Sequence, residues 1–258
     1  MSTKSYTKKA IKRIAHTKGH ADLDIKQPVH LIEHNQGSRS GCAMSLSNHA
    51  EANAMYAWFG VHDLDAMRQW CYVAAKLEQM LYLMDPDTIS PGGKTLRLMM
   101  PLLSNNDSLI DWFAHYDQAY DMKRVESHKT HDFWAYQAML ALRGEWDRLI
   151  ERCERIIADP PGASAEKKYL VDHHFYLALA RRDTGKMQEA LAQLVTPYPR
   201  VGEGSGFTED LISTAAVVYA KIAWRHGYHV QVDSPYIPAE WLPIEPLTQY
   251  SNHYSFLK

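Results

Sequence analysis

The chain has 258 residues, of which 46% are apolar, so it is long enough to bury one large hydrophobic core or two modest ones. Its 28 basic and 30 acidic residues give a formal net charge of −2. General nucleic-acid binding usually depends on an excess of basic charge, so this balance argues against it.

The cysteines and the first residues indicate the compartment. Cys42, Cys71 and Cys153 lie far apart and form neither a CxxC pair nor a disulfide framework, so we expect a reducing environment. Cys71 and Cys153 fall on apolar helical stripes and are predicted to lie in the core, whereas Cys42 could be exposed. The first twenty residues are polar and basic and lack the apolar stretch of a secretory signal. No run approaches the roughly 18 apolar residues of a membrane span, so we expect a soluble cytoplasmic protein.

Residues 1–41 are predicted to form a basic N-terminal helix followed by a linker. The helix would run from Tyr6 to Thr17, and its cations make it a candidate surface for an anion or an acidic partner. A solvated helix face is the more common role of such a charge run. The cations are Lys4, Lys8, Lys9, Lys12 and Arg13. Residues 18–41 contain Pro, Gly, Ser and Asn with weak periodicity, which predicts a connection.

Residues 42–250 are predicted to form a single all-helical domain, and residues 251–258 a tail. Gly60 ends the first helix of this domain, and Asp63 can cap the second. The second helix has a broad apolar face, which predicts burial between two neighbours. That face consists of Met67, Trp70, Cys71, Ala74, Leu77, Leu81 and Met84. Two prolines and two glycines in residues 85–93 end this helix.

Two helix–turn–helix patterns follow shorter helices at 95–103 and 108–120 and a charged stretch at 121–130. The patterns cover residues 130–158 and 166–196, and in each an aromatic-rich helix leads through a glycine into an amphipathic helix. The glycines, Gly144 and Gly185, lie 41 residues apart. We therefore predict stacked antiparallel helix hairpins that resemble tetratricopeptide repeats in layout.

The end of the domain combines a central helix with an irregular segment. Residues 211–227 carry small side chains on two faces, which lets other helices approach closely. Residues 230–247 are rich in proline and cannot form a regular helix throughout, so we expect an irregular strap across the bundle. Strand-like runs are almost absent, and the predicted fold class is an all-α helical bundle.

The sequence contains few signs of catalysis. It has no G-x-S-x-G motif, no phosphate-binding loop and no dinucleotide-binding glycine pattern. Its 14 histidines are potential metal ligands, but the HEXXH motif and the paired E-x-x-H motif of diiron bundles are absent. His173 falls on an apolar stripe, where we expect a hydrogen-bonded core histidine. We predict no catalytic residue, no cofactor and no metal.

Residues 85–126 carry a mild excess of acidic side chains. Scattered acids of this kind most simply form solvated helix faces, but a basic partner would be expected to bind here. The candidate contact residues are Asp85, Asp87, Asp107, Asp111, Asp117, Asp121 and Glu126.

The closing segment YAKIAWRHGYHVQVDSPYIPAEWLP, residues 219–243, resembles that of the immunity protein 49 family, which is found beside polymorphic toxins in bacteria. A helix that ends in Arg225, His226 and Gly227 leads to an Asp-Ser-Pro turn at 233–235 and then to Ile-Pro and Leu-Pro steps. The resemblance covers roughly residues 40–245. The Asp-Ser-Pro turn is interpreted as structural, because Asp can cap backbone amides while proline fixes the turn.

This resemblance implies a non-enzymatic protein that binds a cognate toxin encoded nearby and blocks its active site or substrate groove. Many such toxins are nucleases, for which an acidic surface would be suitable. We expect no direct contact with nucleic acid or membrane, and a homodimer is an open alternative. Two other functions also stay open: a helical-repeat scaffold that binds peptides in a concave groove, and a histidine-dependent metalloenzyme.

Overall fold

The structure, a computed structural model, describes residues 7–85, 87, 91–162, 167–195 and 206–257. Every regular element within these ranges is a helix, and they contain no strand. The predicted all-α fold is therefore confirmed.

The helices of the described residues follow one another with short connections. The first seven are α1 (Lys8–Ala21), α2 (Lys26–Glu33), α3 (Arg39–Phe59), α4 (Leu64–Met84), α5 (Pro91–Arg97), α6 (Met99–Ser104) and α7 (Asp107–His115). The others are α8 (Met122–Val125), α9 (His131–Arg143), α10 (Trp146–Ala158), α11 (Leu170–Ala180), α12 (Thr184–Leu194) and α13 (Thr214–Arg225). Single 3-10 turns lie at Asp117–Ala119 and Ala239–Trp241.

The two longest helices, α3 and α4, form a hairpin on which the N-terminal half is built. Ala50, Ala54 and Ala57 of α3 are buried, and their small size lets α1, α2 and α4 pack closely around this helix. Asp63 caps α4 as predicted, because its carboxylate accepts a hydrogen bond of 2.9 Å from the amide of Ala66. The broad apolar face of α4 packs between α3 and α6.

The prediction that residues 18–41 form only a connection is wrong. α1 continues to Ala21, α2 occupies Lys26–Glu33, and α3 begins at Arg39. α2 contains Pro28 in its first turn, where a missing amide hydrogen removes no helical hydrogen bond. Ile32 is the buried residue of this short helix, so its sequence shows little periodicity. Both α1 and α2 pack against α3.

The α9–α10 and α11–α12 hairpins occupy the two predicted helix–turn–helix regions. Gly144 ends α9 with φ of +72°, a left-handed conformation that glycine adopts without strain. The prediction that Gly185 forms the second turn is wrong, because Arg182 is the left-handed residue there, with φ of +60°, and Gly185 lies inside α12. Asp183 instead caps α12 by accepting a 3.0 Å hydrogen bond from the amide of Lys186.

The helix α13 lies in the core, as its small residues predict. Its first ten residues are buried, and it packs against α5, α6 and α12. The following residues 228–257, which we term the C-terminal segment, contain no α-helix. Val230, Ile237, Trp241 and Leu242 bury their side chains in the core, so this irregular chain is part of the hydrophobic interior.

Candidate functional site

The predicted contact acids are distributed from the end of α4 to the end of α8. In chain order they are Asp85 and Asp87 after α4, Asp107 and Asp111 on α7, Asp117 in the first 3-10 turn, and Asp121 and Glu126 at the two ends of α8. Asp107 and Asp111 lie one helical turn apart and therefore share a face of α7. Asp121 is the N-cap of the four-residue helix α8, and Glu126 is its C-cap.

Glu126 lies against three arginines of α10. Its carboxylate oxygens are 2.8 Å from Arg148, 3.3 Å from Arg152 and 4.0 Å from Arg155. Partial burial raises the pKa of Glu126, but the hydrogen bond from Arg148 and the arginine charges outweigh burial and leave this pKa lowered. The carboxylate is therefore ionised and held by several donors.

Arg152 is the buried centre of this arginine group and joins three helices. It donates hydrogen bonds of 2.9 Å to Gln137 Oε1 and to the carbonyl of Val125, and one of 3.1 Å to the carbonyl of Phe133. Its guanidinium carbon lies 3.9 Å from the centre of the Phe133 ring, a cation–π arrangement. Burial lowers the pKa of Arg152 to about 10, which still leaves it charged at neutral pH. The amide of Gln137 continues the network by donating to His173 Nδ1 at 3.4 Å.

Asp117 is held in a second group. Its carboxylate pairs with Arg143 and accepts a hydrogen bond of 2.9 Å from the hydroxyl of Tyr136. Arg143 also donates to the carbonyl of Ala114 at 2.5 Å, so the same guanidinium secures the end of α7. This geometry fixes the orientation of the Asp117 carboxylate relative to α9.

The other candidate acids also form contacts within the molecule. Asp107 pairs with Arg225 at 2.9 Å, and Asp111 lies 3.1 Å from His115 Nδ1. Asp121 caps α8 and Asp85 accepts a hydrogen bond from the amide of Asp87 at 3.2 Å. Within the described residues, the Asp87 carboxylate is the member of this set that forms no hydrogen bond or ion pair. Three of the seven acids, Asp107, Asp117 and Glu126, are therefore paired with arginines of the same chain.

One histidine and two cysteines that the sequence places in the core are buried there. His173 is buried, and burial followed by the charge of Arg152 lowers its pKa to about 3, which confirms the predicted core histidine. Cys71 and Cys153 are buried as predicted, and burial raises the pKa of both thiols. Among the described residues, no group of three or more histidines, cysteines or carboxylates is placed to hold a metal ion.

A buried lysine, Lys221 of α13, was not singled out from the sequence. Its Nζ donates hydrogen bonds of 2.7 Å to Asn105 Oδ1 and of 3.2 Å to the carbonyls of Leu242 and Pro243. Burial lowers its pKa to about 7, and the nearby charge of Arg68 acts in the same direction. A lysine in the middle of a mostly apolar helix is the sequence signal that could have indicated this site. The hydrogen bonds of Lys221 connect the C-terminal segment to the turn between α6 and α7.

Fold and charge together define an all-helical protein in which the carboxylates of Asp107, Asp117 and Glu126 are held in place by arginines of the same chain. The family model for immunity protein 49 matches residues 112–241, which is half of the chain. The chain therefore belongs to the immunity protein 49 family, as its closing segment predicts, and is by family an immunity protein against a toxin. A search among curated proteins and a search among solved structures each found no match.

The matched range runs from α7 to the second 3-10 turn and so contains both arginine groups and Lys221. Three of the candidate acids, Asp117, Asp121 and Glu126, lie within it, whereas the others precede it. No described helix has the length and apolar character needed to cross a membrane.

Proposed function

We propose that this protein binds a cognate antibacterial toxin in the cytoplasm of the producing cell and neutralises it by covering its active site or substrate groove. The match to the immunity protein 49 family over residues 112–241 is the observation that carries this proposal. A toxin encoded beside this gene is the expected partner.

The acids of residues 85–126 are the proposed contact surface for basic groups of the toxin. The side chains of Asp107 and Asp111 remain 78% and 76% exposed although both have intramolecular partners. A carboxylate that is already oriented loses less conformational freedom when it binds, so these side chains are pre-organised for recognition. A nuclease toxin, whose substrate groove must attract phosphates, would present complementary basic charge.

Copurification tests the proposal directly. The full chain is coexpressed with the tagged product of the adjacent toxin gene, and growth of the host is measured in parallel. We expect a stable complex and restored growth, because occlusion of the toxin groove both requires binding and removes activity. Absence of a complex together with absence of rescue would refute the proposed function.

A helical scaffold that binds peptides is the second candidate, and one groove favours it. A cavity of about 380 Å³ lies between α11 and α12 and is lined by Arg181, Lys186 and Glu189 among others. Concave grooves between paired helices are the usual binding surfaces of helical-repeat proteins. Capture of several unrelated proteins at similar yield, with no preference for the toxin, would favour this alternative.

A further inference from the structure

A groove of about 310 Å³ runs along the C-terminal half of α4, away from the range that the family model matches. Helix α4 forms one side, and the start of α3 and the end of the C-terminal segment form the other. The side chains that matter are Arg39, Lys76, Met80, Leu83, Met84 and Phe256. We term this feature the α4 groove.

The apolar part of the α4 groove is exposed to solvent. Leu83 is 62% exposed, more than any other large apolar side chain of the described residues. Met80, Met84 and Phe256 line the same groove and are each only partly buried. A single exposed leucine is ordinary, whereas several apolar side chains in one concavity are typical of an interaction surface. Methionine side chains are flexible and adapt to the shape of a partner.

The cations of the α4 groove have no ion-pair partner among the described residues. Neither Arg39 nor Lys76 forms an ion pair with any residue that the structure describes. The arginines of the acidic region differ in this respect, since Arg143, Arg148 and Arg225 all contact carboxylates. Asp85 follows Met84 directly, and within the described residues it forms no ion pair with Arg39 or Lys76; its carboxylate accepts a hydrogen bond from the amide of Asp87. The groove therefore combines an apolar floor with two cations that are available to an anionic partner.

We propose that the α4 groove is the docking site for an acidic segment of the toxin that carries a large apolar side chain. The apolar side chain would pack on Leu83 and the two methionines, while carboxylates would pair with Arg39 and Lys76. This inference rests on the proposed function, because it names the toxin as the occupant. It adds a surface of opposite charge preference to the acidic contacts of residues 85–126.

Titration calorimetry with the purified product of the adjacent toxin gene tests the groove in the full chain. Leu83→Asp, and separately the double variant Arg39→Glu with Lys76→Glu, are each expected to weaken binding by about tenfold or more. Val61→Asp is the matched apolar control, since Val61 is 60% exposed on the turn between α3 and α4. Lys26→Glu with Lys167→Glu applies the same charge reversal to two exposed lysines outside the groove. Both controls are expected to change binding by less than about twofold.

The outcomes distinguish a failure of the groove proposal from a failure of the proposed function. Unchanged toxin binding by both groove variants would overturn the groove proposal and leave the proposed function intact. A loss in the Lys26 and Lys167 double variant equal to that in the groove variant would also overturn it. A dimer that Leu83→Asp converts to monomer in sedimentation would identify a second copy of the chain as the occupant, against the proposal. No binding by the unaltered protein would overturn both proposals together.

Discussion

Arg152 and Lys221 are buried cations, and each is accommodated by acceptors from several elements. The guanidinium of Arg152 contacts a side-chain oxygen on α9 and backbone carbonyls at Val125 and Phe133. The ammonium of Lys221 contacts Asn105 and two carbonyls of the C-terminal segment. Burial of an isolated charge is strongly unfavourable, so these acceptors are what allow Arg152 and Lys221 to be buried. Neither set of partners is visible in the sequence, because each is assembled from distant residues.

Arg152→Ala is expected to lower the free energy of unfolding by about 3 kcal/mol or more, because it leaves buried acceptors on Gln137, Val125 and Phe133 without a donor. Urea denaturation of the full chain measures this change. Arg148→Ala is the matched control, since Arg148 contacts the same Glu126 but is 37% exposed, and we expect less than about 1 kcal/mol. Equal losses in the two variants would contradict the account of Arg152.

Lys221 is expected to make stability depend on pH. Its folded pKa is about 7 and its unfolded pKa is near 10.5, so above pH 7 the unfolded chain binds a proton that the folded chain lacks. The free energy of unfolding should therefore rise with pH, by up to about 1 kcal/mol per pH unit. The interval from pH 7 to pH 9 is the one to use, because the unfolded thiols of Cys71 and Cys153 ionise near 9.0 and oppose the trend.

Lys221→Met should abolish this rise of the unfolding free energy with pH, because the titrating amine is removed. Loss of the Lys221 hydrogen bonds shifts the unfolding free energy by the same amount at every pH and so does not change the slope. The measurement is the difference between the unfolding free energies of the two proteins at several pH values in that interval. Lys12→Met, which removes an exposed lysine of α1, should keep the slope of the unaltered protein. A slope that persists in Lys221→Met would show that another group causes it.

Secondary structure was predictable where the apolar period extends over several turns. The stripe of α4 and the patterns of α9 to α12 are long enough to show a 3.6-residue period. The short helix α2 buries only Ile32 and contains Pro28, so its pattern resembles a linker. The position of the turn before α12 was not predictable for a different reason. Arg182 adopts the left-handed conformation there, whereas glycine is the residue most often expected in that conformation.

Gly144→Ala is expected to destabilise the protein by about 1 kcal/mol, because a Cβ at φ of +72° is strained. Gly185→Ala is the matched control, since Gly185 lies in α12 and an added Cβ would meet only Asp183 Oδ1 at 3.5 Å. We expect this control to be neutral or stabilising by about 0.5 kcal/mol. Thermal or urea unfolding checks both variants, and a greater loss at Gly185 would contradict the positions of the two turns.

At the scale of the whole molecule, the family was predictable from the closing segment, but the charge balance was not. Asp107 and Arg225 pair across 118 positions of the sequence, so an apparently free carboxylate in the sequence is compensated in the fold. The same holds for Glu126 and the arginines of α10. Residue counts along a segment therefore overstate the acidity of residues 85–126. The α4 groove was missed for a similar reason, since its sides come from α3, α4 and the chain end.

The acidic contact proposal predicts a change in association with the toxin. The double variant Asp87→Asn with Asp111→Asn is expected to slow association by about threefold to tenfold at low salt and to reduce its salt dependence. Glu151→Gln with Glu240→Gln is the control, since both are exposed acids placed elsewhere on the surface. Surface plasmon resonance at two ionic strengths measures the rates. Equal effects in the two double variants would show a general charge effect instead of a contact.

We propose that binding by this chain neutralises one toxin. The direct measurement is an activity assay of the purified toxin titrated with the full chain, with calorimetry on the same samples. We predict one-to-one binding with a Kd of about 10 nM or tighter, and toxin activity that falls in proportion to complex formed. Absence of binding, or a complex in which the toxin retains its activity, would contradict the account.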